Sequence, residues 1–404
     1  MRYSILGTTN VMAAPTSIPS NAAGPGKYSR EIVLLTTLLL LLVFVIFTAF
    51  AARMYHKQYH VLGDEWFARG DQDFHSGNAA AALSDYRNAL LYSPGNTNFQ
   101  FHLAKALAAT GRFDEARAYL VALLSDSPGS GETNLELARI AAHGGPKMMP
   151  DALRYYHAAI YGVWDTDPIA MRWQVRKEFC EYLLDNNAMT QAEAEIIALA
   201  DNTSPEDFGG QKTAGNLLLR ARMWSRALQE FQTLLSHDPH DEDGLAGAAT
   251  AAFQLGQYPE AEEYLQRLPR EELADPELAR MHEVSRSVLS LNPFEPGLSA
   301  DEKAKRTAKA IVLAEARATA CERQNGGTPS PRVPASSLTS ALATSNQNAA
   351  DWTERNLRKY PERIDPAMSS VFEMEDAAAG LCGEPQGANY ALWLIRRSRA
   401  GNSK

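Results

Sequence analysis

The stretch "ATGRFDEARAYL" (109–120) sets two carboxylates, Asp114 and Glu115, side by side at the head of a helical run. As a general acid and base they would mark an enzyme; as helix-starting residues they would mark a structural unit. The rest of the chain decides between these. Relatives of the stretch recur as "SGNAAAALSDY" (76–86), "TGRFDEARAYL" (110–120), "ARMWSRALQEF" (221–231) and "LGQYPEAEEYL" (255–265). Their starts, 76 and 110, then 221 and 255, are each 34 residues apart, as are Pro94 and Pro128. Looser copies, "PKMMPDALRYY" (146–156) and "NNAMTQAEAEI" (186–196), fill the interval. A period of this length is the mark of stacked supersecondary units.

Physical chemistry explains the pattern. Ala82 and Ala116 allow two helices to approach closely, and the large residue four positions on fills the neighbouring groove. Glycine in the turn admits the left-handed conformation that ends a first helix, and proline after the second helix stops it. No such unit buries its apolar face alone, so stability comes from stacking. Asp114 and Glu115 then start a helix, where carboxylates favour the positive end of its dipole. The other copies put Ala80-Ala81, Ser225-Arg226 and Pro259-Glu260 there, so catalysis is not their role.

These residues resemble the tetratricopeptide repeat, a 34-residue helix–turn–helix unit. Trp66, Gly70, Ala82, Tyr86, Ala89 and Pro94 fall on its signature positions in the first copy, and Leu103, Ala104, Gly111, Ala116, Leu120 and Pro128 in the second. The fifth copy matches through Gly215, Ala227, Phe231 and Pro239, the sixth through Ala249, Gly256, Tyr258, Ala261 and Leu265. An insertion around "GGPKMMP" and missing terminal prolines leave copies three and four with uncertain boundaries. The resemblance implies an all-α solenoid, a right-handed superhelix of about six repeats over 63–275. It also implies that each first helix lines a concave groove for peptides or partner elements. The inward positions would include Phe67, Asp71, Phe74, His75, Phe101, Lys105, Lys212 and Asn216. Lys212 and Asn216 match two positions of the carboxylate clamp of chaperone-binding members. Gly247 and Glu277 stand where that clamp needs Asn and Lys, which argues against a receptor for C-terminal carboxylates.

One segment is unlike the rest. "IVLLTTLLLLLVFVIFTAFAA" (Ile32–Ala52) has no charge over its 21 residues, the ~20 needed to cross a bilayer. Its 15 strongly apolar residues favour insertion by roughly 5 to 9 kcal/mol. A cleaved signal peptide competes, since Ala49-Phe50-Ala51 has the A-x-A form, but the lead-in and apolar run are both long for one. The expectation is an uncleaved transmembrane helix over 31–53, with a disordered segment (1–30) before it. Basic residues flank both ends, so the positive-inside bias is slight. It leans toward a cytoplasmic N-terminus and an extracytoplasmic repeat array.

Charge and motifs exclude several functions. The whole chain carries a formal −9, and residues 63–290 hold 34 Asp/Glu against 19 Lys/Arg. Such a surface repels phosphate backbones, so no nucleic acid is expected. No phosphate loop, dinucleotide fingerprint, zinc-protease motif or nucleophile elbow is present, and neither a cofactor nor a metal is expected. "SHDPHDEDGL" (236–245) has metal-like composition, but an EF-hand register puts Pro239 and Thr250 at ligand positions needing carboxylates. His237 and His240 therefore read as turn residues.

Beyond the array, capping helices are expected over 276–324, with a capping box at Ser299 and Glu302. A low-complexity linker (325–350) and a C-terminal helical segment (351–404), started by Asp351 with Glu354, would follow. A separate small domain here is the alternative. Cys180 falls at a small-residue position and reads as buried and inert. Cys321 and Cys382 could pair if the region is extracytoplasmic, closing a loop worth on the order of 4 kcal/mol. The expected function is that of a membrane-anchored scaffold, not an enzyme, that binds a protein partner and supports a membrane-associated complex. A chaperone-like tether for exported chains, or a regulatory or enzymatic subunit with a site in the C-terminal region, are the alternatives.

Overall fold

The computed structural model describes residues 27–325 and 335–401. Most of the expected disordered lead-in, 1–26, lies outside the described residues, as do 326–334 of the expected linker. The chain divides into two compact units, Met1–Asp126 and Ser127–Lys404.

The first unit holds α1 (Lys27–His75), α2 (Ala79–Tyr92), α3 (Thr97–Ala109) and α4 (Phe113–Asp126). The expected span and the first helix of repeat one are a single helix, α1. "RMYHKQYHVL" between them contains no glycine, proline or capping residue that would end a helix. Repeats one and two are therefore the hairpins of late α1 with α2, and of α3 with α4. Arg30–His75 is the one helix among the described residues that is long and apolar enough to cross a membrane.

The second unit pairs α5 (Gly131–His143) with α6 (Met149–Ile160), and α7 (Pro168–Asp185) with α8 (Met189–Asp201). It continues with α9 (Phe208–Arg220) and α10 (Trp224–His237), then α11 (Glu242–Gln254) and α12 (Tyr258–Arg267). The uncertain repeats are thereby resolved. In repeat three a 3-10 turn, Pro146–Met148, absorbs the insertion, and in repeat four α7 extends to 18 residues. The loop after α6 returns Val163 to pair with Gly129 and Gly131, through Val163 N–H to Gly129 O (2.7 Å) and Gly131 N–H to Val163 O (2.9 Å). Trp164 fills the space above Gly131, where a Cβ would come within 2.3 Å of the indole.

The repeat positions behave as one set. Ala82, Ala116, Ala152, Ala192, Ala227 and Ala261 are all fully buried. The residues four later, Tyr86, Leu120, Tyr156, Ile196, Phe231 and Leu265, are each exposed by 2% or less. In all six hairpin turns a residue of positive φ follows the first helix: Gly77, Gly111, Gly145, Asn187, Arg222 and Gly256. Side-chain caps recur too, with Asn96, Asp207 and Asp241 accepting from N–H groups of the first turns of α3, α9 and α11.

Six further helices complete the second unit: α13 (Pro276–Leu291), α14 (Ala300–Asn325), α15 (Ala335–Gln347), α16 (Glu354–Lys359), α17 (Ile364–Cys382) and α18 (Gly387–Gly401). α13 packs on α12, and α18 returns to pack on α13, while α14 to α17 form an attached cluster. Two sequence expectations need correction. Residues 335–347 are helical and pack on α17, because Leu338 and Ala341 supply a buried apolar stripe that the Ser/Thr-rich composition hides. The α16 cap is Thr353, not Asp351; Thr353 Oγ1 accepts from Asn356 N–H (3.4 Å), and Asp351 pairs with Arg363 (2.8 Å). Ser299 caps α14 as its position implies, accepting from Glu302 N–H (3.2 Å).

Candidate partner-binding surface

In the first unit, late α1 and α3 bring five of the eight inward candidates onto one face. Phe67 stacks on Phe99, centroids 4.6 Å apart, and meets His102 edge-on at 4.9 Å. Lys105 Nζ lies 5.7 Å from the centroids of both Phe74 and Phe101, within reach of a cation–π attraction. Asp71 Oδ1 accepts from Tyr86 Oη at 2.7 Å and lies 3.9 Å from His102 Nε2. Burial, reinforced by the Asp71 carboxylate, pushes the Tyr86 hydroxyl far above its ordinary pKa, so it stays a donor. His75 is exposed, and its Nδ1 donates to the Asp71 carbonyl at 2.6 Å. Phe67, Asp71, Phe74, Phe101 and Lys105 are all half-buried, neither sealed in a core nor fully solvated. Phe99 and His102 belong to the same cluster and were missed. The residues 34 positions earlier, Glu65 and Ala68, are not aromatic, so the repeat register carried no signal for them.

The other two candidates lie in the second unit, on α9. Lys212 is committed to the start of α11, with Nζ 2.6 Å from Asp241 Oδ2 and 3.1 Å from Asp243 Oδ2. Asn216 is exposed. A clamp asparagine has no room at Gly247: even a Cβ there would sit 2.3 Å from the Phe231 ring. A second charged cluster links first helices here. Arg139 pairs with Glu178 (2.7 Å) and Glu136 (2.9 Å), and Tyr156 Oη donates to Glu178 at 3.0 Å. The hydrogen bonds to Glu178 hold the Arg139 guanidinium firmly protonated.

The positions weighed for chemistry are occupied structurally. Asp114 and Glu115 are exposed in the first turn of α4, and Arg112 grips Glu115 with two bonds of 2.7 and 2.6 Å. His237 and His240 are exposed at the turn before α11, and among the described residues no cluster of His, Cys, Asp and Glu could hold a metal. Cys180 is fully buried, and desolvation pushes its thiol up to about 12, which suppresses the reactive thiolate. Cys321 and Cys382 are joined as a disulfide between α14 and the end of α17, with Cα atoms 5.9 Å apart. Near it, buried Glu375 on α17 is held by Arg317 of α14 and by Asn389 Nδ2 of α18 at 2.6 Å; Arg317 Nη2 also donates to Gly383 O at 2.8 Å. Desolvation raises the Glu375 pKa, with Asn389 and Arg317 opposing. Every member of this group has a partner inside the fold, as a structural brace does.

Comparison with known proteins agrees with this packing. Two family profiles, both described as tetratricopeptide repeat, match the chain, one over residues 73–132 and 218–283 and the other over 103–165. No curated protein matches. Among solved structures, a tetratricopeptide repeat protein from Parabacteroides merdae is similar at 15% identity, covering 61% of this chain and 91% of that one, with a TM-score of 0.37. YrrB, described as a TPR protein with an unusual peptide-binding site, is 16% identical over 48% of this chain and 95% of its own, with a TM-score of 0.35. PilF of Pseudomonas aeruginosa is 15% identical, covering 50% and 93%, with a TM-score of 0.31. At such scores the family assignment rests on the matched repeats and on their conserved internal geometry of small, large and turn positions. On that ground, residues 73–165 and 218–283 are tetratricopeptide repeats.

Proposed function

We propose that this protein is a membrane-anchored, non-catalytic scaffold that holds a protein partner close to the bilayer. The observation that carries the reading is the unbroken course of α1, whose apolar stretch runs straight into the first helix of repeat one. Gly63 lies 11 positions past Ala52, roughly 16 Å along the helix. A continuous helix transmits orientation as well as position, which a flexible linker would not.

The partner surface is the half-buried face of Phe67, Phe74, Phe101 and Lys105. Aromatic side chains held by their neighbours lose little freedom on binding, and aromatic residues are enriched where binding energy concentrates. The disulfide between Cys321 and Cys382 supports an extracytoplasmic array, because such bonds persist in oxidising compartments. Gentle solubilisation followed by size-exclusion chromatography and mass spectrometry tests the proposal. A stoichiometric partner is expected; a clean monomer across several detergents would contradict it, and many substoichiometric clients would point to a chaperone-like tether.

A further inference from the structure

The α2–α3 turn of the first unit has an apolar character that hairpin packing does not use. Leu91 is 73% exposed at the end of α2, next to Tyr92, Ser93, Pro94 and Gly95. This turn is fastened to α1. Tyr92 meets Tyr59 edge-on at 5.3 Å, His60 Nδ1 lies 3.1 Å from Ser93 Oγ, and Gly63 sits beside Tyr92 and Ser93. The turn therefore stands level with residues 59–63 of α1, at the end of the first unit that faces the apolar stretch.

Its height follows from helix geometry. Tyr59 lies seven residues past Ala52, which at ~1.5 Å per residue is about 11 Å beyond the apolar run. Transmembrane helices tilt by ~20° on average. With α2 ~9 Å off the α1 axis, a tilt toward α2 brings the turn to about 7 Å. The polar layer of a bilayer extends ~5–8 Å beyond its hydrocarbon on each side. Leu91, Tyr59 and Tyr92 have the chemistry of that layer, with apolar bodies and, for the tyrosines, polar tips.

We propose that the α2–α3 turn rests on the phospholipid headgroup layer, as a second membrane contact beside α1. The inference depends on α1 spanning the bilayer. Its consequence is mechanical: a span alone leaves the helix free to tilt and rotate, whereas the foot fixes both and aims the partner-binding face.

Site-directed spin labelling of the full-length protein in phosphatidylcholine–phosphatidylglycerol vesicles tests this. Gly95→Cys is suited to it, since a Cβ there meets nothing within 4 Å and the backbone is unstrained. The native cysteines do not compete, being buried or disulfide-bonded. Val45→Cys reports the span, and Ser76→Cys, in the turn after α1, reports water. A label at 95 shielded several-fold from a soluble nickel chelate relative to 76, while still less oxygen-accessible than at 45, is the expected result. Equal nickel accessibility at 95 and 76, with 45 buried in lipid, would overturn the foot and leave the anchor standing. An aqueous signal at 45 would overturn the anchor and the foot together.

Discussion

Replacing Gly247 with alanine should destabilise the second unit, although alanine is the better helix former. The Phe231 ring on α10 is 1% exposed and lies between two glycines of first helices, Gly215 of its own repeat and Gly247 of the next. A Cβ at 247 would lie 2.3, 2.4 and 2.6 Å from three ring carbons. The ring cannot retreat, because a Cβ at 215 would meet it at 2.7 to 3.0 Å. Overpacking of this kind costs about 1–3 kcal/mol, and a ring blocked on both faces belongs at the upper end. Alanine recovers ~1 kcal/mol of helix propensity, leaving about 2 kcal/mol net. In a unit of this size that lowers Tm by roughly 4–8 °C, readable by circular dichroism of the detergent-solubilised protein. Phe231→Leu in the same background should relieve the crowding, so the double variant melts above the sum of the two single shifts. If Gly247→Ala melts at or above the parent, propensity has won and the ring is not pinned between adjacent repeats.

Arg222 offers a test of opposite sign. It takes the left-handed turn position at φ 59°, which costs a non-glycine residue ~1 kcal/mol; Arg222→Gly should raise Tm by a few degrees. The raised pKa of Glu375 means that its contribution to stability is complete below the ordinary carboxylate range and is lost as pH rises through the elevated value. Glu375→Gln should remove that loss from the stability–pH profile. Reducing the bond between Cys321 and Cys382, separated by 61 residues, should cost on the order of 4 kcal/mol, seen as a lower Tm in reductant. Asp114→Ala and Glu115→Ala should each change stability by no more than ~1 kcal/mol, since both carboxylates are exposed.

What could be read from the sequence was whatever repeats. Ala116 and Leu120 revealed their roles because Ala82 and Tyr86, then Ala227 and Phe231, occupy the same two places. Cys180 was legible as buried for the same reason, sharing its position with Gly70, Ala104 and Gly215. The turn glycine was only partly legible, since Asn187 and Arg222 adopt the same conformation without being glycine. Features set by distant parts of the chain left no local mark. α15 reads as a linker by composition and becomes a helix through packing on α17. The pairing of α18 with α13 joins segments about a hundred residues apart. At the candidate surface, repeat register pointed to Phe67 and Phe101 but not to His102, whose contact with Phe67 arises from stacking of consecutive first helices. Lys212 shows the converse: its register position was right for a ligand cation, yet Asp241 and Asp243 engage it.

Photocrosslinking in native membranes tests the scaffold reading most directly. A benzophenone amino acid at Phe101, on the proposed partner face, is compared with one at Asp114, exposed in the first turn of α4. A discrete adduct with one protein, formed from position 101 and absent from 114, is the predicted result. The same spread of adducts from both positions, or none from 101, would contradict it.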